Sequence, residues 1–165
     1  MTLEQDLERI RLQEERLQFE QFDAETAWTL GSRLRALAEA RHAPVVIDIQ
    51  LNTYPQFFSA LPGSAPDNVD WIRRKRNVVL TFLRSSYAVG LELKRDGDSL
   101  EASRGVSTRD YAPHGGCFPI VVKGAGCIGT IGVSGLPGRE DHGLIVEGLA
   151  AQLGVPLGEV ALGEE

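Results

Sequence analysis

Histidine and acidic side chains beside glycine-rich turns are the first candidates for chemistry in this sequence. His114 stands directly before Gly115-Gly116, and Asp141 stands directly before His142. An imidazole with a nearby carboxylate can transfer protons or hold a metal ion. Adjacent helical residues point about 100° apart, so Asp141 and His142 would not both bind one ion. One interpretation is that these groups converge on a ligand site, and the other is hydrogen bonding and capping. The third histidine, His42, lies at a predicted helix end, where a structural role is favoured.

Four consecutive basic residues, Arg73 to Arg76, form the second candidate. A helix turns about 100° per residue, so this run covers every side of it. In a protein with a net charge of -6, such charges can be solvated and paired with acidic residues. The alternative is a site for an anion or a carboxylate, in which Arg74 and Lys75 bind the ligand.

Glycine recurs between positions 124 and 135 and carries two signals. Residues 124–129 match the G-x-G-x-x-G pattern of dinucleotide-binding loops, but they lie between two predicted strands, so we reject that function. Glycines at 126, 129, 132 and 135 leave residues 126–135, which we call the bare ribbon, with few side chains. A helix, a second subunit or a ligand could therefore approach its backbone closely. Our hypothesis is that this bare ribbon presents a surface that the protein's own helices do not seal.

Ser134 lies in the same ribbon and completes the set of predicted ligand-binding residues. It does not form a nucleophile elbow, because that motif requires G-x-S-x-G and position 136 is leucine. Hydrolase chemistry is therefore not predicted.

Composition limits the class of protein. The 165 residues suit one domain, 1–165, with residues 1–18 as an N-terminal amphipathic helix. The acidic balance argues against nucleic-acid binding, which depends on neutralising phosphates. No apolar run approaches the roughly 18 residues of a membrane span, and the charged first residues lack the apolar core of a secretory signal. We therefore expect a cytoplasmic protein with no nucleic-acid or membrane partner.

The two cysteines, Cys117 and Cys127, both lie in a predicted hairpin. If the turn is centred on residues 124–125, Val122 faces Cys127 and Cys117 faces Gly132. The two sulfur atoms are then several residue pairs apart, so a disulfide cannot close. Because there is no C-x-x-C pair, no metal site is predicted from the cysteines.

The first half of the chain predicts two helices and a pair of strands. Thr2 and Gln5 have the spacing of a capping box at the start of the first helix. Asp23 is a good N-cap for the second helix. Alternating apolar residues predict a strand over 45–51, which returns after a turn as a second strand over 56–61.

The second half predicts a long helix, a connection, a hairpin and a last helix. The long helix starts at Asn68, with Asp67 as its cap, and residues 95–109 form an irregular or short helical connection. Strands over 118–122 and 127–133 form the hairpin. The predicted fold class is α/β, more narrowly α+β, with a mostly antiparallel sheet covered by helices.

Several motifs of the sequence belong together. They are Tyr111-x-x-His114-Gly115-Gly116-x-Phe118-Pro119-Ile120, residues 128–137, Asp141-His142 and, upstream, Trp71, Lys75, Phe82 and Ser85-Ser86. Taken together, these motifs resemble the haem-degrading domain superfamily. The upstream group looks like the uncharacterised cytoplasmic branch of that superfamily. The resemblance covers most of the chain and implies a profilin-like α-β-α domain that assembles into homo-oligomers. Relatives in the superfamily include extracellular haem-binding proteins, glycolate-operon proteins and domains attached to cobalamin adenosyltransferases.

Two functions follow from the residues and the resemblance together. The first is a soluble homo-oligomeric binding or assembly module, whose small-molecule ligand lies near the glycine-rich strand, His114 and the basic helix. The second is an enzyme or binding protein acting on haem or a related tetrapyrrole, with His114 as the donor. Haem needs an axial donor and an apolar slot. The aromatic residues available for such a slot, or alternatively for the core or a subunit interface, are Tyr54, Phe57, Phe58, Phe118 and Trp71.

Overall fold

Four strands form one antiparallel sheet in the computed structural model, which describes residues 1–164. The elements in chain order are α1 (Leu3–Arg16), α2 (Ala24–Ala40), β1 (Val46–Leu51), β2 (Tyr54–Ala60), α3 (Pro66–Phe82), α4 (Ser86–Asp96), α5 (Leu100–Arg104), β3 (Cys117–Val122), β4 (Gly126–Ser134), α6 (Gly138–Leu153) and α7 (Leu157–Val160). The strand order is β2-β1-β4-β3, so β2 and β3 are the edges. Within residues 1–164, no helix has both the length and the apolar character needed to cross a bilayer.

The sheet separates two layers of helices. Ile47 and Ile49 of β1 belong to the main hydrophobic core, which the sheet forms with α2 and α6. Gly132 of β4 points to the opposite face and meets Ile72 of α3 there. The protein is therefore an α+β domain with three layers, α-β-α, which confirms the predicted fold class.

The first two helices start where the sequence predicts. The Thr2 hydroxyl accepts from the Gln5 backbone N–H, and the Gln5 side chain accepts from the Thr2 N–H, which completes the capping box. The Asp23 carboxylate accepts from the Thr26 N–H at 2.8 Å at the start of α2. Each bond satisfies a first-turn N–H that has no partner within its own helix.

The long helix predicted from Asn68 is present, but its start, its cap and its end differ from the prediction. α3 starts earlier, at Pro66, and the Asn68 side chain accepts from the Ala65 N–H at 2.8 Å, so Asp67 is not the cap. The helix stops at Leu83, whose backbone is left-handed with φ 57°. A separate helix, α4, begins three residues later.

The first hairpin has a tighter turn than the sequence predicts. β2 begins at Tyr54, which pairs with Leu51, so only Asn52 and Thr53 connect the two strands. Asn52 has a φ of 52°, which a short asparagine side chain tolerates better than most residues.

The register of the second hairpin matches the prediction at one end only. Cys117 faces Gly132 as predicted. An irregularity after Ile120 shifts the pairing, so Cys127 faces Val121 and not Val122, which was the predicted partner. Both cysteines are free thiols. Residues 124–129, which match the G-x-G-x-x-G pattern, lie in the turn and in β4 as predicted, and no helix begins there.

The glycines of β4 allow neighbouring elements of the same chain to approach closely. A Cβ on Gly132 would lie 2.5 Å from Ile72 Cγ2 of α3, and a Cβ on Gly129 would lie 2.1 Å from the backbone oxygen of Gln50 in β1. Between Gly129 and Gly132 the bare ribbon is therefore sealed within the monomer. The hypothesis that it presents an unsealed surface was wrong for this stretch, where close packing is the interpretation that holds.

Replacing Gly132 by alanine should destabilise the protein by about 1–3 kcal/mol, because the added methyl group must displace Ile72 in a packed layer. Urea denaturation followed by circular dichroism measures this change. Gly143→Ala is the matched control, since nothing lies within 4 Å of a Cβ added there inside α6. This control should gain up to about 1 kcal/mol from helix propensity. Equal unfolding midpoints for the two variants would contradict close packing at Gly132.

Candidate functional site

One face of α3 borders a cavity of about 950 Å³, which we call the main cavity. Asn68, Trp71 and Lys75 are three and four residues apart, so they share this face of the helix. The other walls come from α4, α5 and parts of two further segments, residues 106–115 before β3 and residues 134–141 around the start of α6.

A buried ion pair stands at the inner end of the main cavity. The Lys75 ammonium lies 3.2 Å from Asp141 Oδ2 and 3.4 Å from the Val133 carbonyl oxygen. The two side chains expose only 5% and 1% of their surface. Asp141 Oδ1 accepts from the Leu136 N–H at 3.0 Å. Burial raises the pKa of Asp141 to about 6, while the charge of Lys75 acts in the opposite direction.

Gly116 makes room for this ion pair. Its φ of 126° lies in a region that favours glycine, and a Cβ there would lie 2.6 Å from Lys75 Nζ and 3.1 Å from Asp141 Cβ. A larger residue would displace the ammonium from the carboxylate. Gly116 does not border the main cavity itself, so its contribution to the site is space for Lys75.

His114 lies on the cavity wall beside the ion pair. Its exposed ring packs edge-on against Trp71, with the ring centroids 5.9 Å apart. Burial lowers the pKa of His114, and the positive charges of Lys75 and Arg74 lower it further. The imidazole is therefore neutral at neutral pH, and one of its nitrogens carries a free electron pair that can bind a metal.

Arg74 is fixed at the cavity by stacking and by hydrogen bonds. Its guanidinium carbon lies 4.2 Å from the centre of the Trp71 ring. Its Nε and Nη2 both donate to the Thr108 carbonyl oxygen, at 3.1 and 2.6 Å. These contacts hold the segment before β3 against α3.

The structure brings six of the eight predicted ligand-binding residues to the main cavity and leaves two outside it. The six that border the cavity are His114, Gly115, Ser134, Asp141, Lys75 and Arg74. Gly116 lies behind the ion pair, and His142 points into the protein interior instead. The convergence of the two ends of the hairpin system therefore involves His114 and Asp141 without His142.

His142 joins three helices. Its Nε2 lies 2.7 Å from Gln13 Oε1 of α1, and Gln13 Nε2 donates to the Val160 carbonyl oxygen of α7 at 2.7 Å. The ring also packs against Tyr87 and Phe118. Burial lowers the pKa of His142 to about 3, so the ring is neutral. Its surroundings make it a structural residue, as the alternative interpretation of the histidines allowed.

The four residues of the basic run have different environments. Arg73 pairs with Asp110 at 2.9 Å on the surface, and Arg76 pairs with Asp48 at 3.1 Å near β1. Ion pairing to acidic residues is therefore correct for both. Lys75 is only 4% exposed, so the interpretation of the whole run as solvated charge was wrong at this position.

The five aromatic residues considered for a haem slot do not form one. Trp71 borders the main cavity, whereas Phe57 and Phe118 are buried in the main core. Tyr54 and Phe58 are exposed on the edge strand β2. The alternative, that these aromatic residues fill the core, is therefore correct for Phe57 and Phe118.

Sequence reasoning missed the apolar walls of the cavity. They include Tyr87, Leu100, Val106 and Tyr111, which belong to α4, α5 and the connection that follows. A Cβ on Gly90 of α4 would lie 2.0 Å from the Pro113 carbonyl oxygen, so this glycine lets the connection cross the helix at short range. A glycine inside a helix was the available signal for that crossing.

Fold and site together define a class of protein, an α-β-α domain with a ligand-sized cavity beside a buried ion pair. A family model for haem-degrading HbpS-like proteins matches residues 22–150, and the chain belongs to this family.

Proteins similar to this chain include both sequence relatives and solved structures. A UPF0303 protein from Azotobacter vinelandii is 62% identical over 162 residues, which are 98% of each chain. The crystal structure of the Ybr137w protein aligns with a TM-score of 0.83 and 32% identity, over 90% of this chain and 87% of that one. A PduOC structure in complex with haem aligns with a TM-score of 0.66 and 15% identity, over 79% of this chain and 94% of that one. The last similarity concerns the fold alone.

Lys75→Met should destabilise the protein by about 3–5 kcal/mol, because Asp141 is left as a buried charge without its partner. Lys75→Met combined with Asp141→Asn should recover most of that loss, since neither residue is then charged. Urea denaturation at pH 7 measures both. Arg73→Met, which removes exposed ion pairs from the same helix, is the control and should cost less than about 1 kcal/mol. A double variant no more stable than Lys75→Met would contradict the coupling.

Proposed function

We propose that this chain is a cytoplasmic, homo-oligomeric small-molecule-binding module whose ligand occupies the main cavity. The observation that carries the proposal is the convergence of Lys75, Ser134, His114 and Asp141 on one wall. They come from α3, the end of β4, the segment before β3 and the start of α6. Four separate parts of the chain therefore place polar side chains on the lining of one cavity.

The size and composition of the main cavity support this proposal. Its volume of about 950 Å³ lies within the range of roughly 300–1,000 Å³ that small-molecule sites occupy. Apolar side chains form much of the wall, and the buried Lys75–Asp141 ion pair lies at the inner end. An apolar cleft with a few polar groups at defined places is the common form of a ligand site.

Haem is a second candidate ligand, favoured by His114. A neutral imidazole is a common axial ligand of haem iron, and burial together with Lys75 and Arg74 keeps His114 neutral. Arg74 and Lys94 border the same cavity and would give positive partners to the propionate groups. The family and the haem complex of PduOC add support. When bound, haem would supply an iron centre, which His114 would hold, and the apolar wall beside it would come from Tyr87, Leu100 and Tyr111 rather than from the aromatic residues that the sequence suggested.

Haemin titration of the purified protein tests this candidate. We expect a sharp Soret band from a histidine-ligated complex, and we expect His114→Ala to remove it because the axial donor is lost. His42→Ala is the matched control, since His42 lies at the end of α2 and does not border the main cavity. Absorption spectroscopy measures both. A Soret band that His114→Ala leaves unchanged would show adventitious haemin binding and remove haem from consideration.

The homo-oligomer is expected to form through the open edge of the sheet. Phe19 hydrogen-bonds to the outer side of β3, whereas β2 has no such cover among residues 1–164. Tyr54 and Phe58 on β2 expose 72% and 54% of their surface, and Trp28 beside the strand exposes 65%. An uncovered edge with exposed aromatic side chains is a common site of association between copies.

Tyr54→Lys combined with Phe58→Lys should therefore shift the protein to monomer, because like charges would meet across the paired edges. Light scattering after size-exclusion chromatography measures the mass. Leu83→Lys, which changes an exposed apolar residue at the end of α3, is the control and should leave the mass unchanged. An unchanged mass in the double variant would exclude this edge as the interface.

A further inference from the structure

Hydrogen-bond donors at the inner end of the main cavity are incompletely paired. A Lys ammonium has three N–H donors. The Lys75 ammonium has two acceptors among residues 1–164, the Val133 carbonyl oxygen at 3.4 Å and Asp141 Oδ2 at 3.2 Å. Both distances are longer than the roughly 2.7–2.9 Å of a strong charge-assisted hydrogen bond. A buried cation on the cavity wall therefore keeps one donor free and holds the other two weakly.

Ser134 adds a second donor. Its hydroxyl is 3% exposed and borders the cavity. The only contact that it makes within the described part of the chain is to Asn68 Nδ2, from which it accepts at 3.5 Å. The hydroxyl hydrogen is therefore available. Asn68 Oδ1 accepts from the Ala65 N–H, so it is the Nδ2 amide donor of Asn68 that points toward Ser134.

His114 adds a third donor. Its ring borders the cavity and makes no hydrogen bond to the residues that the structure describes, so one N–H is available in the neutral ring. Asp141 borders the same cavity, and each of its oxygens already accepts one hydrogen bond, Oδ1 from the Leu136 N–H and Oδ2 from Lys75. Three donors on the cavity lining are therefore incompletely paired.

We propose that Lys75, Ser134 and His114 form a carboxylate subsite at the inner end of the main cavity, and that the ligand is an apolar molecule with one carboxylate group. This inference rests on the proposed function, because it takes the main cavity as the ligand site. A carboxylate offers two oxygens and about four acceptor directions, which match the free donors. The apolar body would lie along Tyr87, Leu100 and Tyr111.

The charges at the subsite couple carboxylate binding to proton uptake. With Asp141 ionised and His114 neutral, Lys75 and Asp141 sum to zero, so a bound carboxylate adds an uncompensated negative charge. The other charged or titratable side chains that border the cavity are Arg74, Tyr87, Lys94, Asp98, Glu101, Tyr111 and Arg139, and Arg139 is engaged by Asp6. The added charge favours protonation of Asp141. Affinity should therefore increase as the pH falls.

Binding of benzoate, with benzyl alcohol as its neutral counterpart, tests the subsite. The chemical shifts of the Gly115 and Ser134 backbone amides report occupancy by NMR. We expect benzoate to bind at least about tenfold more tightly than benzyl alcohol at pH 5.5, because only the carboxylate uses the free donors. We also expect benzoate affinity to fall by up to about tenfold per pH unit between 6.5 and 7.5, which is the limit for uptake of one proton.

Variants at the subsite separate direct contact from general charge. Lys75→Met with Asp141→Asn keeps the buried pair neutral, so folding is retained, and benzoate affinity should fall at least tenfold while benzyl alcohol binding is unchanged. Ser134→Ala should weaken benzoate about threefold to tenfold, the effect of one lost hydrogen bond. Lys123→Met removes an exposed lysine in the β3–β4 turn and should have no effect.

Each outcome supports or overturns the subsite. Equal affinities for benzoate and benzyl alcohol, a benzoate affinity independent of pH, or full benzoate binding by the double variant would each overturn it. If haemin binds through His114 while benzoate and benzyl alcohol behave alike, the carboxylate subsite is wrong and the ligand cavity stands. If neither haemin nor benzoate perturbs the cavity resonances, the subsite and the proposed function are both wrong.

Discussion

The ion pair between Lys75 and Asp141 is the interaction on which the candidate site depends. α3 and α6 lie on opposite faces of the sheet, and the ion pair connects them past the end of β4, where the Val133 carbonyl oxygen also meets the ammonium. Removing two charges from water costs several kcal/mol per ion, and their attraction offsets this only with good geometry and additional hydrogen bonds. A well-packed apolar pair would serve stability as well. What the ion pair contributes beyond stability is a polar cavity wall at a fixed position.

The cavity itself lies beside a second, smaller core. Val78, Val89 and Leu100 form a cluster that is separate from the main core, and it holds α4 and α5 against the outer side of α3. The connection from α5 to β3 then returns across α4 at Gly90 and attaches to α3 through Arg74. Because this layer is built from short helices and a connection, it does not fill the space above the start of α6. The main cavity is the space that remains.

Local signals predicted the fold well and the site in part. The capping box at Thr2, the cap at Asp23 and the strand β1 depend on neighbours in sequence, and the structure has all three, although β1 is buried on both faces. The split between α3 and α4 was missed because Leu83 ends the helix in a left-handed conformation that an apolar residue rarely adopts. The sealing of the glycine ribbon by Ile72 is a contact between residues far apart in sequence, which periodicity does not report.

The difference between local signals and long-range contacts also explains which site residues could be predicted from the sequence. His114 and Asp141 flank one hairpin, so topology alone brings them near each other, and the 100° step along a helix separates His142 from Asp141. The burial of Lys75 could not be read from a run of four basic residues, because it depends on Gly116 and Asp141 far along the chain. Tyr87 and Tyr111 were missed because they meet only through the return of the α5–β3 connection.

The geometry around Gly116 has an evolutionary consequence. The ammonium of Lys75 and the carboxylate of Asp141 fill the space that a side chain at position 116 would need. A change at any one of these three positions therefore affects the other two. A larger residue at 116 would favour a shorter partner at 75, and loss of the cation would favour loss of the anion. In aligned sequences of the family, these three columns should therefore vary jointly or remain invariant together.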